Sequence, residues 1–191
     1  DVQATSGRLV IASATGVGAS NALETKVDSL EVVNATSGHI SISDASTDAL
    51  LVVNAVQQTA GNLQIVSDGT LTVVDNGVAG NAVATVDGTV TLEAVAAQVN
   101  DGIQSVDGNI TVTADNNISL SDGTLIDAGS GTITLSADGD ITLGRLLTTN
   151  DSTAAVRLTS TAGEIVDGGD TGGADVQATS GRLVIASATG V

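Results

Sequence analysis

The chain has 191 residues, a formal net charge of −17 and no Cys, Pro, Met, Phe, Tyr or Trp. Without Cys there is no disulfide, thiol nucleophile or thiolate metal site, and without aromatic residues no stacking platform for bases or sugars. Five Lys and Arg against 22 Asp and Glu argue against nucleic acid, because phosphate contacts need a basic face. The uncharged stretches are short, so we also expect no membrane insertion.

The first predicted element is a segment that occurs twice. Residues 1–17 read DVQATSGRLVIASATGV, and residues 175–191 are identical. Because identity over this length does not arise by chance, we interpret 1–174 as one complete repeat unit and 175–191 as the start of the next identical unit. We expect the chain to be an interior section of a longer tandem array.

A short helix is predicted next, at about 21–29. Asn21 offers an N-cap with Glu24 three residues later, and Leu23 and Val27 follow at helical spacing. The alternative for this segment is an irregular turn of a β-solenoid.

Strands are predicted along the rest of the chain by a recurring pattern of Gly, any residue, aliphatic, any residue, aliphatic. The alternation has the two-residue period of a half-buried strand, and Ile, Val and Thr dominate it. The pattern begins at Gly7, Gly38, Gly61, Gly69, Gly88, Gly108, Gly131, Gly139 and Gly181.

The spacing of these glycines predicts the kind of β protein. Gly69, Gly88, Gly108 and Gly131 are 19, 20 and 23 residues apart, which is close to one rung of a three-sided parallel β-helix. We therefore predict an all-β parallel β-helix (β-solenoid) with rungs of about 20 residues. The unit 1–174 then has eight or nine rungs and an axial length on the order of 40 Å. The segment 38–75 also aligns with 108–145 at a constant offset.

Turns are marked by Asp-Gly and Asn. Asp before Gly favours a tight turn, and Asn on stacked rungs either forms a ladder of amide bonds along the axis or serves as an ordinary turn residue. Asp precedes Gly at Asp68, Asp87, Asp101, Asp107, Asp122, Asp138 and Asp167, and the Asn residues are Asn62, Asn76, Asn109 and Asn116.

Thr-x-Thr pairs suggest a flat outward surface. They occur at 70/72, 89/91, 111/113 and 132/134, at intervals near one rung. If they stack, they form a Thr array like that of ice-binding solenoids, whereas the ordinary explanation is the preference of Thr for strand exteriors.

No catalytic constellation is apparent, and we expect no enzyme activity. Asp138 and Asp140 form a close pair, but they lack a third neighbouring carboxylate, and Arg145 and Arg157 follow at a distance. His39 follows a turn glycine and should face outward as an isolated exposed residue.

Calcium is the one metal for which the sequence offers weak candidates. Asp167, Asp170 and Asp175 lie in an acidic, glycine-rich loop, and Ca²⁺ accepts irregular sets of oxygen ligands. The RTX nonapeptide and the EF-hand spacing are both absent. Diffuse screening of the acidic surface by calcium is the alternative, and no cofactor is expected.

The segment GVGASNALETKVDSLEVVNATSGHISISDASTDALLVV (16–53) resembles a recurring module of giant bacterial surface proteins. The segments GDITLGRLLTT (139–149) and AAVRLTSTAGEIVDGGD (154–170) are also similar to their repeats. The family is that of filamentous haemagglutinin and related β-helical adhesins. The resemblance implies a right-handed β-helix, export from a diderm bacterium and a place on or beyond the cell surface.

From these observations we expect a structural repeat of an extracellular bacterial filament or stalk, forming a long, rigid, acidic rod. Its partners would be adjacent copies of the same repeat stacked end to end. The alternative is an adhesin that binds glycan, matrix, mineral or ice through a lateral face of the solenoid.

Overall fold

The computed structural model describes residues 1–74, 77, 80–169 and 173–191, and all regular structure in this part is β. Every strand pairing is parallel. None of the described residues belongs to a helix long and apolar enough to cross a membrane. The strands are β1 Val2–Ser13, β2 Leu23–Asn34, β3 Ile40–Asp44, β4 Leu50–Ala60, β5 Leu63–Val73, β6 Val83–Asp87, β7 Val90–Val99, β8 Ile103–Ser105, β9 Ile110–Ala114, β10 Ile118–Leu120, β11 Leu125–Asp127, β12 Ile133–Ala137, β13 Ile141–Leu143, β14 Arg145–Thr148, β15 Val156–Ser160, β16 Ile165–Asp167, β17 Val176–Ala178 and β18 Leu183–Ser187.

The chain coils into a parallel β-solenoid of about 8 turns, which confirms the predicted fold class. Each turn takes about 23 residues, slightly more than the predicted 20. The difference arises at corners that carry longer connections. The chain between the paired residues Leu146 and Val176 is clearly longer than the chain between the paired residues Val90 and Ile110. The right-handed sense that the resemblance implies stays a prediction.

Three faces run along the solenoid axis, and they are named here in chain order. Face A stacks β3, residues 63–67 of β5, residues 90–94 of β7, β9, β12, β15 and β18. Face B stacks residues 50–52 of β4, residues 70–73 of β5, residues 96–99 of β7, β10, β13 and β16. Face C stacks residues 54–57 of β4, then β6, β8, β11, β14 and β17.

The core is a set of aliphatic stacks parallel to the axis. Alternate residues of each strand point inward, and equivalent residues of successive turns lie on top of one another. Small, similar side chains suit this packing, which explains why the chain has no aromatic residues. The first inward stack of face A, each member at most 1% exposed, consists of Ile40, Leu63, Val90, Ile110, Ile133 and Val156.

The predicted helix at 21–29 is wrong, because β2 begins at Leu23 and takes in the rest of this segment. Leu30 and Val32 are fully buried at strand spacing. β2 pairs with β1 below and with β3 and β4 above, so its backbone groups are satisfied by neighbouring turns. This long-range pairing overrides the local helical spacing.

A column of glycines explains the glycine in the repeated strand pattern. At the corner between faces C and A, each glycine above Gly38 lies against the carbonyl of the glycine one turn below, and Gly38 itself lies against the carbonyl of Thr15. A Cβ added to Gly108 would overlap the Gly88 oxygen, and one added to Gly131 would overlap the Gly108 oxygen. No larger residue fits without moving the backbone. The column comprises Gly38, Gly61, Gly88, Gly108 and Gly131.

Buried hydroxyl groups connect successive turns at other corner positions. The Ser105 hydroxyl donates to the Gly88 oxygen at 2.8 Å and accepts from the Gly108 N–H at 2.8 Å. Ser160 repeats the arrangement, donating to the Gly139 oxygen at 2.7 Å and accepting from the Gly163 N–H at 3.0 Å. A Ser-x-x-Gly sequence therefore closes a corner and bonds it to the turn below.

Asparagine side chains also join turns, but they bond to the main chain. The Asn62 side-chain oxygen accepts from the Thr89 N–H at 3.1 Å, and that of Asn109 accepts from the Thr132 N–H at 2.9 Å. Asn117, next to the predicted Asn116, makes the same kind of bond, and Asn76 lies outside the described residues. These residues therefore form side-chain-to-backbone links between turns.

An amide-to-amide bond does occur inside the solenoid, near its first turns. The Asn34 side-chain nitrogen donates to the Gln57 side-chain oxygen at 2.8 Å, and both residues are fully buried. The Asn34 oxygen accepts from the Gly16 N–H at 2.9 Å. This buried polar pair links three consecutive segments of chain.

Candidate functional site

The end turns are candidate interaction surfaces, because their strand edges and core side chains lack a covering turn. Among the described residues, β18 pairs with β15 alone, and β1 pairs with β2 alone. Leu183 and Ile185 stack on Val156 and Leu158, yet they remain 40% and 37% exposed. Unpaired N–H and C=O groups beside exposed aliphatic side chains favour addition of another strand.

The duplicated segment forms both end turns. In the first copy, Leu9 and Ile11 stack on Leu30 and Val32. In the second copy, the same two residues are Leu183 and Ile185, and they stack on the buried residues of β15. Both copies thus present the same side chains to the core. One copy is covered on the side towards the C-terminus, and the other on the side towards the N-terminus.

The outward surface of face A carries only part of the Thr array that the sequence suggested. Thr91, Thr111 and Thr134 stack outward over three successive turns. The four Thr-x-Thr pairs do not all stack, because the pair 70/72 lies on face B. The column of three is bounded by Gln64 below and by Arg157 above. The flat Thr surface is therefore short.

A shallow groove with three carboxylates lies where face A turns into face B. Asp68, Glu93 and Asp115 line it, together with Ser67 and Thr113. No group of three or more potential metal-ligating side chains lies close enough to hold an ion in the part of the chain that the structure describes. The groove thus adds negative charge to the corner.

Asp167 and Asp175, two of the three calcium candidates, each make a different local hydrogen bond. The Asp167 carboxylate accepts from the Gly169 N–H at 2.7 Å, which closes a turn after β16. Asp175 precedes β17, and its main-chain oxygen accepts from the Leu146 N–H at 2.6 Å. Asp170 lies outside the described residues. A calcium site at this loop stays a prediction.

The carboxylates considered for sugar cleavage each bond to the next turn. The Asp138 carboxylate accepts from the Thr161 hydroxyl at 2.7 Å, and the Asp140 carboxylate accepts from the Glu164 N–H at 2.9 Å. Arg157 lies on the outward side of face A. These contacts give the Asp pair a structural role in stacking the turns.

His39 is exposed, as the sequence predicted. Its Nδ1 atom accepts from the Asn62 N–H at 2.9 Å. His39 therefore occupies the same corner position as Asn62 and Asn109, which hold the N–H of the turn above them.

The residues that bridge turns from inside the corners were not among those predicted from the sequence. Ser105, Ser160 and Ser187 share the Ser-x-x-Gly spacing, which could have marked them in the sequence. The buried Asn34–Gln57 pair has no such local signal, because its partners are 23 residues apart.

No family model, no curated protein and no solved structure matches this chain. The assignment of the fold therefore rests on the strand pairing itself.

Proposed function

We propose that this chain is a structural repeat of an extracellular filament or stalk of a bacterium, in which tandem units continue one acidic β-solenoid rod. The observation that carries the proposal is the pair of identical segments, 1–17 and 175–191, at the two uncovered end turns. A following unit would cover Leu183 and Ile185 with the side chains that already cover Leu9 and Ile11.

Charge placement is consistent with a rod that stays dispersed. The net charge is −17, and the outward columns of faces A and B are mostly Ser, Thr and Gln. Many of the carboxylates lie at corners, where they surround the rod. Like charge along its length keeps neighbouring rods apart and in solution. An extracellular, bacterial location is supported by the resemblance of 16–53, 139–149 and 154–170 to filamentous haemagglutinin modules.

The test is electron microscopy of chains in which residues 1–174 are present once, twice or four times, each ending with residues 175–191. A straight rod of constant width should lengthen by about 36 Å for each unit. The 174 residues of a unit make about seven and a half turns of about 23 residues, and successive turns are about 4.8 Å apart. Separate beads on a flexible connection would overturn the proposal.

The alternative is an adhesin that binds glycan, mineral or ice through a lateral face. The observation that favours it is the outward column Thr91–Thr111–Thr134 on face A. Thermal hysteresis and pull-down on insoluble polysaccharide or mineral test it. Loss of binding in Thr111→Lys, with binding retained in Ser119→Lys on face B, would support this function over the structural one.

A further inference from the structure

The two copies of the duplicated segment lie on opposite sides of the solenoid. In the second copy, Leu183–Ser187 forms the last strand of face A. In the first copy, the same residues run along Ser29–Asn34 of β2. That part of β2 continues into face B through Leu30 and into face C through Val32. The first copy therefore covers the merged side of faces B and C, which is opposite face A.

The start of the segment is displaced in the same way. Val176–Ala178 belongs to face C. In the first copy, Val2–Ala4 pairs with Thr25–Val27, and Thr25 in turn pairs with Asp44 at the end of face A. On a three-sided coil, the corner at the end of face A lies opposite face C. These two positions are therefore also half a turn apart. Both parts of the segment thus give the same displacement.

These positions set the number of turns in one unit. Strand pairing leads from the first copy, on the side of faces B and C, through successive turns to the second copy on face A. The chain from Asp1 to the equivalent Asp175 thus makes about seven and a half turns of about 23 residues. The unit does not contain a whole number of turns.

We propose that consecutive units stack end to end through this segment with a rotation of about half a turn, so that face A of one unit continues as the side of faces B and C of the next. The partner is a second copy of this chain, and the inference rests on the proposed function. The same face then recurs on alternate sides of the rod, and the full pattern repeats after two units, about 72 Å.

The two end turns supply compatible halves of this joint. In the joined array, Leu9 lies between Val156 of the preceding unit and Leu30 of its own unit. Ile11 lies between Leu158 and Val32 in the same way.

Polar groups continue across the same joint. Ser13 lies between Ser160 and Asn34, so the polar corner position is kept. The ion pair between Arg8 and Glu31 spans the first two turns of each unit. The inward positions Leu9, Ile11 and Ser13 therefore meet a residue of like polarity on both sides.

The test measures a distance across the joint between two spin labels, which is specific because the chain has no Cys. A two-unit chain, with residues 1–174 present twice and followed by 175–191, carries Thr159→Cys in its first unit and Gln104→Cys in its second. The proposed joint places these residues five turns apart in one outward column, through Ala12, Val33, Val56 and Ala84 of the second unit.

The matched control lies within one unit. Ser43→Cys and Thr159→Cys are also five turns apart in one outward column of face A. Pulsed electron paramagnetic resonance should give the same distance for both pairs, about 24 Å between backbones. A continuous rod in which the pair across the joint is clearly farther apart than the control pair would overturn the half-turn joint and leave the proposed function standing.

Cryo-electron microscopy of an unlabelled four-unit chain gives a second, independent measurement. Surface features should repeat every two units along the rod. A repeat after every single unit would overturn the inference, and separate beads would overturn both the inference and the proposed function.

Discussion

At the residue scale, the structure depends on positions where two turns approach each other too closely for a side chain. The glycine column is such a place, because the glycines above Gly38 each face the carbonyl of the glycine below. The repeated Gly in the sequence pattern thus has a steric origin in the spacing of the turns.

We predict that Gly108→Ala destabilises the fold by about 2–3 kcal/mol, because its Cβ would overlap the Gly88 oxygen and shift the backbone. Urea unfolding followed by circular dichroism measures the change in free energy. Gly190→Ala is the control, since the nearest atom to its added Cβ is the Glu164 carboxylate at 3.9 Å. Equal stability of the two variants would contradict the steric role of the column.

The hydroxyl bridges give a second prediction at this scale. Ser105→Ala should cost about 1–3 kcal/mol, because the part-buried Gly88 oxygen and Gly108 N–H both lose the hydroxyl of the buried Ser105 as partner. Ser119→Ala, on the outward side of β10, should change the unfolding free energy by less than about 0.5 kcal/mol. Urea titrations of both variants compare them, and a loss for Ser119→Ala as large as that for Ser105→Ala would argue against the bridge.

At the element scale, each internal strand is held on both edges. β9 pairs with β7 below and with β12 above, over five residues each. A strand in this position contributes to stability through two ladders at once.

We therefore expect Thr111→Pro in β9 to cost about 3 kcal/mol or more, because proline removes a ladder hydrogen bond and constrains a strand paired on both sides. The control is Thr153→Pro in the exposed turn before β15, where a much smaller loss is expected. Thermal unfolding compares the two variants. A Tm for Thr111→Pro at or above that of Thr153→Pro would be inconsistent with the two-sided pairing.

The strands of face A, apart from β15, could be predicted from the sequence, because alternation and glycine spacing are local signals. The constant offset between 38–75 and 108–145 equals three turns, since Ile40 and Ile110 lie three turns apart on face A. β2 could not be predicted, because Leu23 and Val27 fit a helix as well as a strand. Pairing with β1 and β4, which decides between them, is not visible in the local sequence.

The end surfaces could be predicted from the duplicated segment, but the rotation of one end turn relative to the other about the solenoid axis could not. Sequence identity shows that Leu9 and Leu183 are equivalent, whereas only the strand pairing shows that they lie on different sides. Corner lengths vary between turns, so counting residues alone does not give a rotation. The Thr-x-Thr pairs show the same limit, since their spacing is near one rung and yet one pair lies on another face.

At the scale of the whole molecule, the exposed aliphatic residues of the last turn should drive association of the chain with itself. We predict that Ile185→Lys reduces head-to-tail association at least tenfold, because a charge would have to be buried against the first turn of the next chain. Sedimentation velocity over a range of concentrations measures the association.

The control for this prediction is Val184→Lys, which places the same charge on the outward side of the same strand. It should associate much as the unchanged chain does. Circular dichroism of both variants shows whether the solenoid is intact. If the two variants associate equally, the end turn is not the contact surface.

The coiled path of the chain also determines how it yields to force. Each turn is bonded only to the turn above and the turn below, so tension along the axis concentrates at one boundary at a time. A turn of about 23 residues that peels from an end extends from about 4.8 Å to roughly 75 Å. A solenoid built this way absorbs mechanical work by unwinding turn by turn, and each remaining turn offers the template on which the released chain rewinds.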